Sequence, residues 1–249
     1  MRSMRCAGIL PGALPRCAGQ GLRDRTGWSY NVRMSDRRSQ ILDAAARVMG
    51  EHGFRRTSVD DVIAAAGLAG KAHFYHYFRS KQELGYAVLE RQFEHFADRG
   101  LAILREPLIA PLDRLHLFVD SIIAVQVAAG GREGSPFGRL AGELAAADEG
   151  FRERLAQVFG RWTDAVRTLL EEMRGQLAPG TEPTRLARFV VATLEGALML
   201  ARVSRDVGVL PGIGADLKRF VGMHLRDGPT DAGSTDGALS AATVGVGRS

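Results

Sequence analysis

Apolar residues along the middle of the chain recur at intervals of three and four, which is the spacing of one face of an α-helix. No alternation of apolar and polar residues lasts long enough there to indicate a sheet. We therefore expect an all-α fold. The spacing predicts helices near residues 36–52, 58–66, 80–96, 115–127, 151–173, 183–207 and 210–225.

Local signals mark the ends of the first helices. Gly53 is typical of a left-handed helix stop. Ser58 can accept a hydrogen bond from the amide of Asp61, and Ser80, three residues ahead of Glu83, forms a capping box that opens a long helix. Two short helices joined by a glycine-bearing turn thus lie between two longer ones, which is the outline of a helix-turn-helix unit.

The composition is that of an ordinary globular protein, with 249 residues, 45% apolar and 24% charged. No run of about 18 apolar residues occurs, so we expect no membrane span and no membrane partner. The net charge is +5, and residues 1–36 hold six Arg against two Asp while residues 37–91 hold nine Lys or Arg against six acids. A nucleic-acid partner is therefore predicted for the N-terminal third alone.

Both ends of the chain lack a sustained apolar period. We predict that residues 1–34 are a disordered extension or result from a mis-assigned start, because Met34 resembles a natural start just before an organised helix. Cys6 and Cys17 lie in this segment without the companion ligands of a zinc site, so no metal, disulfide or cofactor is predicted. The Gly-, Ser- and Thr-rich residues 227–249 are predicted to be a disordered tail.

Hydrogen-bond donors and aromatic rings are dense between residues 71 and 81, and such side chains suit a helix that enters the major groove of DNA. The residues are Lys71, His73, Tyr75, His76 and Tyr77. Lys81 opens the next helix, where a cation costs about 0.3–1 kcal/mol unless an anion such as a phosphate lies nearby. His73 and His76 also have the spacing of metal ligands, and Tyr77 is equally suited to packing or to a phosphate contact.

Four stretches in this order resemble the DNA-binding domain of TetR-family transcriptional regulators: Gln40–Ala45, Glu51–Phe54, Thr57–Gly67 and Phe74–Leu84. The resemblance implies an N-terminal three-helix helix-turn-helix domain, residues 35–82, and a larger helical ligand-binding and dimerisation domain, residues 83–226. It also implies a cytoplasmic homodimer, most often a repressor, that a small effector releases from a palindromic double-stranded DNA operator. The stretch Ser135–Leu144 resembles the LmrA-like branch, which responds to drug-like molecules.

The resemblance also implies roles for single residues. Tyr75, His76 and Tyr77 match positions that approach the DNA, Lys81 matches a phosphate-binding lysine, and Thr57 and Ser58 match a helix start set against a phosphate. Lys71 and His73 match variable positions that often contact bases. The chain is one residue longer than the common pattern between Gly67 and Tyr75, and Ala69 replaces a frequent Ser or Thr, so which of Lys71 and His73 faces the groove stays open.

In the family the last two long helices form the subunit interface, which here implies residues 183–225, although a monomer could bury the same apolar stripe internally. Eight residues are candidates for an apolar effector pocket with a few polar groups, and we expect about a third of them to touch a ligand. They are Phe93, Phe96, Phe118, Gln126, Glu143, Trp162, Glu195 and Met199.

Two other functions compete with DNA binding as interpretations of the sequence. An enzyme is not expected, because the chain contains no Gly-x-Ser-x-Gly, phosphate-loop or His-Glu-x-x-His motif, and the glycines of residues 130–138 fit a flexible loop. The alternative is a helical dimeric interaction or ligand-binding module that does not bind DNA, which would have no salt-dependent affinity for a duplex.

Overall fold

The computed structural model describes residues 28–131 and 134–226, with side chains from residue 37 onward. Nine α-helices lie in these residues, and the only β pairing among them is an isolated bridge between Leu177 and Leu225. The predicted all-α fold is confirmed. The helices are α1 (Trp28–His52), α2 (Val59–Ala65), α3 (Lys71–Tyr75), α4 (Lys81–Phe96), α5 (Pro111–Ala128), α6 (Pro136–Leu144), α7 (Glu149–Glu172), α8 (Pro183–Ser204) and α9 (Val209–Gly222).

The predicted helix ends are confirmed. Gly53 has φ +85° and follows the last residue of α1, a conformation that a side chain at Cβ would strain. The hydroxyl of Ser58 accepts a hydrogen bond from the amide of Asp61 at 3.1 Å, and the carboxylate of Asp61 accepts from the amide of Ser58 at 2.7 Å. Ser80 likewise accepts from the amide of Glu83 at 3.0 Å. Each cap satisfies backbone donors that the first turn of a helix leaves unpaired.

The first four helices share one apolar cluster, which we call the N-terminal core. Phe74 and Phe78 lie within it, fully buried, as their four-residue spacing predicts. Leu84 and Val88 of α4 complete it, whereas Leu89 and Phe93, one turn further on, belong to the larger core of the following helices. Helix α4 therefore runs from one core into the other.

The larger core is centred on α7. Trp162 is buried there among the rings of Phe96, Phe118 and Phe159. Helix α7 packs against α6 and α8, while α9 packs against α5 and α8. In the described part of the chain, no helix has the length and apolar character that crossing a bilayer requires.

Two helices differ from the predictions. Helix α1 begins at Trp28 rather than near residue 36, because no proline or glycine interrupts the chain after Gly27. Helix α6 occupies residues that we predicted as part of a flexible loop; Ser135 caps it by accepting from the amide of Gly138 at 3.1 Å. The predictions for residues 1–27 and 227–249, including both cysteines, lie outside the described residues.

Candidate nucleic-acid interface and ligand cavity

Helix α3 presents polar side chains on one side and is anchored by an aromatic ring on the other. Phe74 is buried in the N-terminal core, while Tyr75 is 51% exposed and His76 is exposed. His73 and Tyr77 are half-buried, with ring centroids 5.8 Å apart. In residues 28–131 and 134–226 no third metal-ligating side chain joins His73 and His76 in a cluster. The arrangement can therefore offer ring N–H and O–H donors to an external partner.

The start of α3 faces the start of α2. The ammonium of Lys71 lies 3.2 Å from the carboxylate of Asp60, and both side chains are largely exposed. Such a pair contributes at most about 1 kcal/mol, so Lys71 can exchange Asp60 for another anion.

Of the two residues predicted to face a phosphate at the start of α2, only Ser58 is exposed. Thr57 is 1% exposed, and its hydroxyl donates to the carbonyl of Gly53 at 2.8 Å. The prediction that the Thr57 side chain faces a phosphate is therefore wrong, because its hydroxyl is used within the turn between α1 and α2.

Lys81 has protein partners that the sequence did not indicate. Its Nζ donates to the carbonyl of Arg55 at 3.0 Å and lies 4.6 Å from the ring centroid of Phe54. Partial burial lowers the pKa of Lys81, and the nearby carboxylates of Glu143 and Asp61 oppose that effect. These contacts explain how a cation is tolerated in the first turn of α4 without a phosphate, and the remaining N–H groups of Lys81 are still able to bind one.

Helix α6 is fastened to the turn after α1. The amide of Phe54 donates to Oε2 of Glu143 at 2.9 Å, and the amide of Arg55 donates to its other carboxylate oxygen. One turn earlier, the guanidinium of Arg139 donates to the carbonyl of Gly50. Two charged side chains of α6 thereby hold the last turn of α1 and the residues that follow it.

A second set of contacts fastens α4 to the start of α7. Asp148 caps α7 by accepting from the amide of Phe151 at 3.0 Å, which lowers the pKa of Asp148. The hydroxyl of Tyr86 donates to the same carboxylate at 3.1 Å, and the side-chain amide of Gln82 donates to it at 2.6 Å. Burial raises the pKa of Tyr86, so this hydroxyl keeps its proton. The end of α1 with the turn after it, and the start of α4, are thus tied to the C-terminal helices at two points.

A cavity of about 1090 Å³ borders the contacts between α6 and the end of α1, and it is lined by α1, α4, α6, α7 and α8. Its volume slightly exceeds the roughly 300–1,000 Å³ of small-molecule sites. Most of the lining is apolar, and the polar side chains include Gln92, Thr163 and Glu195. The cavity can hold a molecule with an apolar body and a few hydrogen-bonding groups.

Residues 41–88 match the family model described as bacterial regulatory proteins, tetR family, and residues 111–215 match that of the LmrA/YxaF-like transcriptional regulator C-terminal domain. An uncharacterized HTH-type transcriptional regulator of Lactococcus lactis subsp. lactis is 30% identical over 181 residues, which are 73% of this chain and 90% of the relative. The chain belongs to the TetR family of transcriptional regulators. It is therefore a helix-turn-helix DNA-binding regulator and not an enzyme.

Two further proteins resemble this TetR-family chain over most of its length. The transcriptional regulator AcuR of Cereibacter sphaeroides is 30% identical over 165 residues, 66% of this chain and 75% of the relative. The crystal structure of a regulatory protein TetR from Rhodobacter sphaeroides superposes with a TM-score of 0.67 at 28% identity, covering 75% of this chain and 97% of that one. Both the N-terminal core and the larger helical core thus have counterparts in solved TetR-family folds.

In this TetR-family chain the cavity brings together three of the eight predicted pocket residues: Glu143, Glu195 and Met199. The other five lie elsewhere. Phe93, Phe118 and Trp162 are buried in the larger core, Phe96 packs against them, and the amide of Gln126 donates to the carbonyl of Gly134 at 3.3 Å.

The sequence also left some cavity residues unnoticed. Ser135, Gly138 and Arg139 lie in the stretch whose resemblance to the LmrA-like branch was the available signal. Ser135 is buried, and its hydroxyl donates to Oε1 of Glu195 at 2.7 Å. Burial raises the pKa of Glu195 to about 7, and this hydrogen bond partly opposes the rise. Glu195 therefore changes charge near neutral pH.

Proposed function

We propose that the protein is a repressor that binds a palindromic operator as a homodimer and is released when a small, largely apolar effector enters the cavity. In this proposal residues 35–82 bind DNA, with the first turns of α4 completing their core. Residues 83–226 bind the effector and dimerise.

The observation that carries the proposal is the arrangement of α3. In helix-turn-helix proteins the second helix of the motif enters the major groove. Here α3 is that helix, its burial of Phe74 fixes its orientation, and Tyr75, His76 and Lys71 are left exposed. The net positive charge of residues 37–91 adds a sequence-independent attraction to phosphates.

The exposed face of α8 supports the homodimer. Phe189, Met199 and Val203 are 43%, 61% and 78% exposed, and with Ala192 and Gly196 they follow a spacing of three and four along the helix. All of them except Phe189 also border the cavity, so the proposed interface and the cavity share this face of α8. Apolar side chains with this spacing form the contact surface between paired helices, and small residues among them let the two helices approach closely. A self-complementary interface of this kind has the two-fold symmetry that a palindromic operator requires.

Release by an effector is supported by the position of the cavity. Its walls include Gly53 and Phe54, which are part of the turn that Glu143 holds, and Gly50, whose carbonyl accepts from Arg139. An occupant that displaces α6 changes the contacts of this turn, and therefore the position of α3 relative to the other subunit. A ligand that binds one of two arrangements better shifts the population toward that arrangement.

The test is a gel-shift titration with duplex DNA flanking the protein's own coding region. We expect tight, salt-sensitive binding that Tyr75→Ala and Lys81→Ala each weaken, while Arg167→Ala, an equal loss of charge on α7, leaves it unchanged. Binding that none of these changes affects, or no binding to any duplex at low salt, would overturn the proposal in favour of a dimeric module without DNA binding.

Base specificity is tested separately. If Lys71 or His73 contacts a base edge, its replacement by Ala changes the preference at one operator position by about 1–3 kcal/mol. Selection from a library of randomised operators measures this preference for each variant. Unchanged preference in both variants would exclude the two residues as specificity determinants.

A further inference from the structure

The carboxylate of Glu195 reaches from α8 to the first turn of α6. Its Oε1 accepts from the hydroxyl of Ser135 at 2.7 Å. A Cβ placed on Gly138 would lie only 2.6 Å from its Oε2, so the absence of a side chain at Gly138 leaves room for the carboxylate in this position. The same Ser135 hydroxyl accepts from the amide of Gly138 and caps α6. The wall of the cavity thus contains a carboxylate held against the amino-terminal turn of a helix.

Glu195 is incompletely paired. A carboxylate can accept about four hydrogen bonds. Among the described residues, the one donor that contributes to the pKa of Glu195 is the hydroxyl of Ser135. No cationic side chain of these residues lies within ion-pair distance of it. The other carboxylate of the cavity, Glu143, accepts from two backbone amides instead.

The cationic side chains of the cavity lie away from this carboxylate. Arg188 lies two turns of α8 before Glu195 and Arg202 two turns after it, each about 10 Å away along the helix axis. Both side chains are exposed, and salt at physiological strength screens exposed charges over such a distance. Arg139 of α6 is directed to the carbonyl of Gly50. His52 and Arg56 line the opposite wall and are exposed, and the neighbours on α4 and α7, Gln92 and Thr163, carry no charge.

We propose that the cavity binds a protonated amine carried on an apolar body, and that the Glu195 carboxylate is the group that pairs with the ammonium. The apolar side chains of the cavity receive the body of the ligand: Met49, Val88, Phe159, Val191 and Leu198. The inference rests on the proposed function, since it names the chemical class of the effector for the same cavity.

The physical reason is the difference between a buried and an exposed charge. A carboxylate that has lost water without gaining a cation is costly, and a ligand that supplies the cation removes that cost. The ammonium also competes with Ser135 for Oε1. Binding therefore acts on the capped turn of α6, whose later residues Arg139 and Glu143 hold the end of α1 and the turn after it.

Three fluorescent probes that share one ring system test the proposal: 1-naphthylmethylamine, 1-naphthylmethanol and 1-naphthoate. Each is titrated at pH 8 into the full-length protein and its Glu195→Gln variant, without DNA, with Glu153→Gln as a control on the exposed face of α7. We expect the amine to bind the unchanged protein most tightly. Glu195→Gln should weaken the amine by about 30-fold or more, the loss seen when one partner of a buried charge pair is removed, and should leave the alcohol unaffected.

A pH series distinguishes an ion pair between the ammonium and Glu195 from binding that depends only on the fit of the naphthyl ring. Amine affinity should fall as the pH decreases from 8 to 6, because Glu195 takes up a proton, and this fall should be absent in Glu195→Gln. A His52→Gln variant should keep it, since His52 also lines the cavity but is not the group proposed to pair with the amine.

Tightest binding by the naphthoate, equal amine affinity in Glu195→Gln, or no binding of any probe would overturn the proposal. The first of these outcomes would assign the site to anions bound by Arg188 and Arg202. Because these titrations contain no DNA, they test the class of ligand separately from the gel-shift test of DNA binding. An amine that binds through Glu195 yet leaves the protein on its operator would refute release while leaving the ligand class intact.

Discussion

Replacing Glu195 by Gln is expected to make the folded protein more stable at pH 8 and to leave its stability near pH 4.5 almost unchanged. Burial raises the pKa of this carboxyl to about 7 from an ordinary value of 4.5. Between these two values the folded chain binds more protons than the unfolded chain, so the free energy of unfolding falls as the pH rises. The stabilisation that protonated Glu195 provides is complete below pH 4.5 and is lost as the pH passes 7.

The size of the effect follows from the same shift. One pKa unit corresponds to about 1.4 kcal/mol, so a rise from 4.5 to about 7 predicts a stability difference between the variant and the unchanged protein of about 3 kcal/mol at pH 8. For a chain of this size each kcal/mol moves the unfolding midpoint by about 2–4 °C. The Gln side chain can still accept from Ser135, so the hydrogen bond contributes little to the difference.

Urea unfolding at several pH values between 4.5 and 8 measures this difference. Protein concentration is held constant, because the stability of a dimer depends on it. The Glu153→Gln variant serves as the control, since Glu153 is exposed on α7 and its replacement should give a small difference that does not grow with pH. A Glu195→Gln difference that is flat across the range, or a variant less stable than the unchanged protein at pH 8, would refute the assignment of Glu195 as a largely buried carboxyl without a cationic partner.

Three further outcomes are expected. Lys81→Ala should weaken binding to every duplex and reduce the slope of log affinity against log salt by about one, and an unchanged slope in gel-shift titrations would exclude a phosphate contact. Glu143→Gln should speed amide hydrogen exchange in residues 53–57 relative to Glu153→Gln, because two backbone N–H groups lose a charged acceptor; equal exchange would show that α6 does not hold this turn. Val203→Glu should convert dimers to monomers in light scattering, whereas Leu108→Glu, in an exposed loop, should not; dimers in both variants would exclude the α8 face as the interface.

The helices and their ends could be predicted because their signals are local. Ser58 and Asp61 satisfy each other's backbone N–H groups, and Ser80 accepts from the amide of Glu83 while Glu83 accepts from the amide of Arg79. All these partners lie within four residues of one another, so the local sequence contains them. The same holds for Phe74, whose burial follows from the spacing of apolar residues on two neighbouring turns. The α3 candidates needed the family resemblance in addition, because spacing alone does not distinguish a solvated helix from one that contacts DNA.

The cavity could be predicted only in part, because apolar spacing shows that a side chain leaves water but not what it packs against. Phe118 and Trp162 fill the larger core, while Met199 at similar helical spacing lines the cavity. Thr57 fails as a predicted surface contact for a related reason. Its type suits a helix start facing a phosphate, yet its hydroxyl is used by the carbonyl of Gly53, a choice set by the shape of the turn.

Helix α6 shows why long-range contacts limit such predictions. Its glycines favour a loop when only neighbours in sequence are considered. In the fold the carboxylate of Glu195, from another helix, lies where a Cβ on Gly138 would be, so a glycine that indicates local flexibility instead makes room for a close contact. One nine-residue helix then contacts the cavity carboxylate at its first turn and the end of α1 through Arg139 and Glu143. A molecule that moves Glu195 either breaks the hydrogen bond from Ser135 and leaves α6 in place, or moves α6 together with the turn that precedes α2. Only in the second case does the ligand act on the residues that lead into the helix-turn-helix.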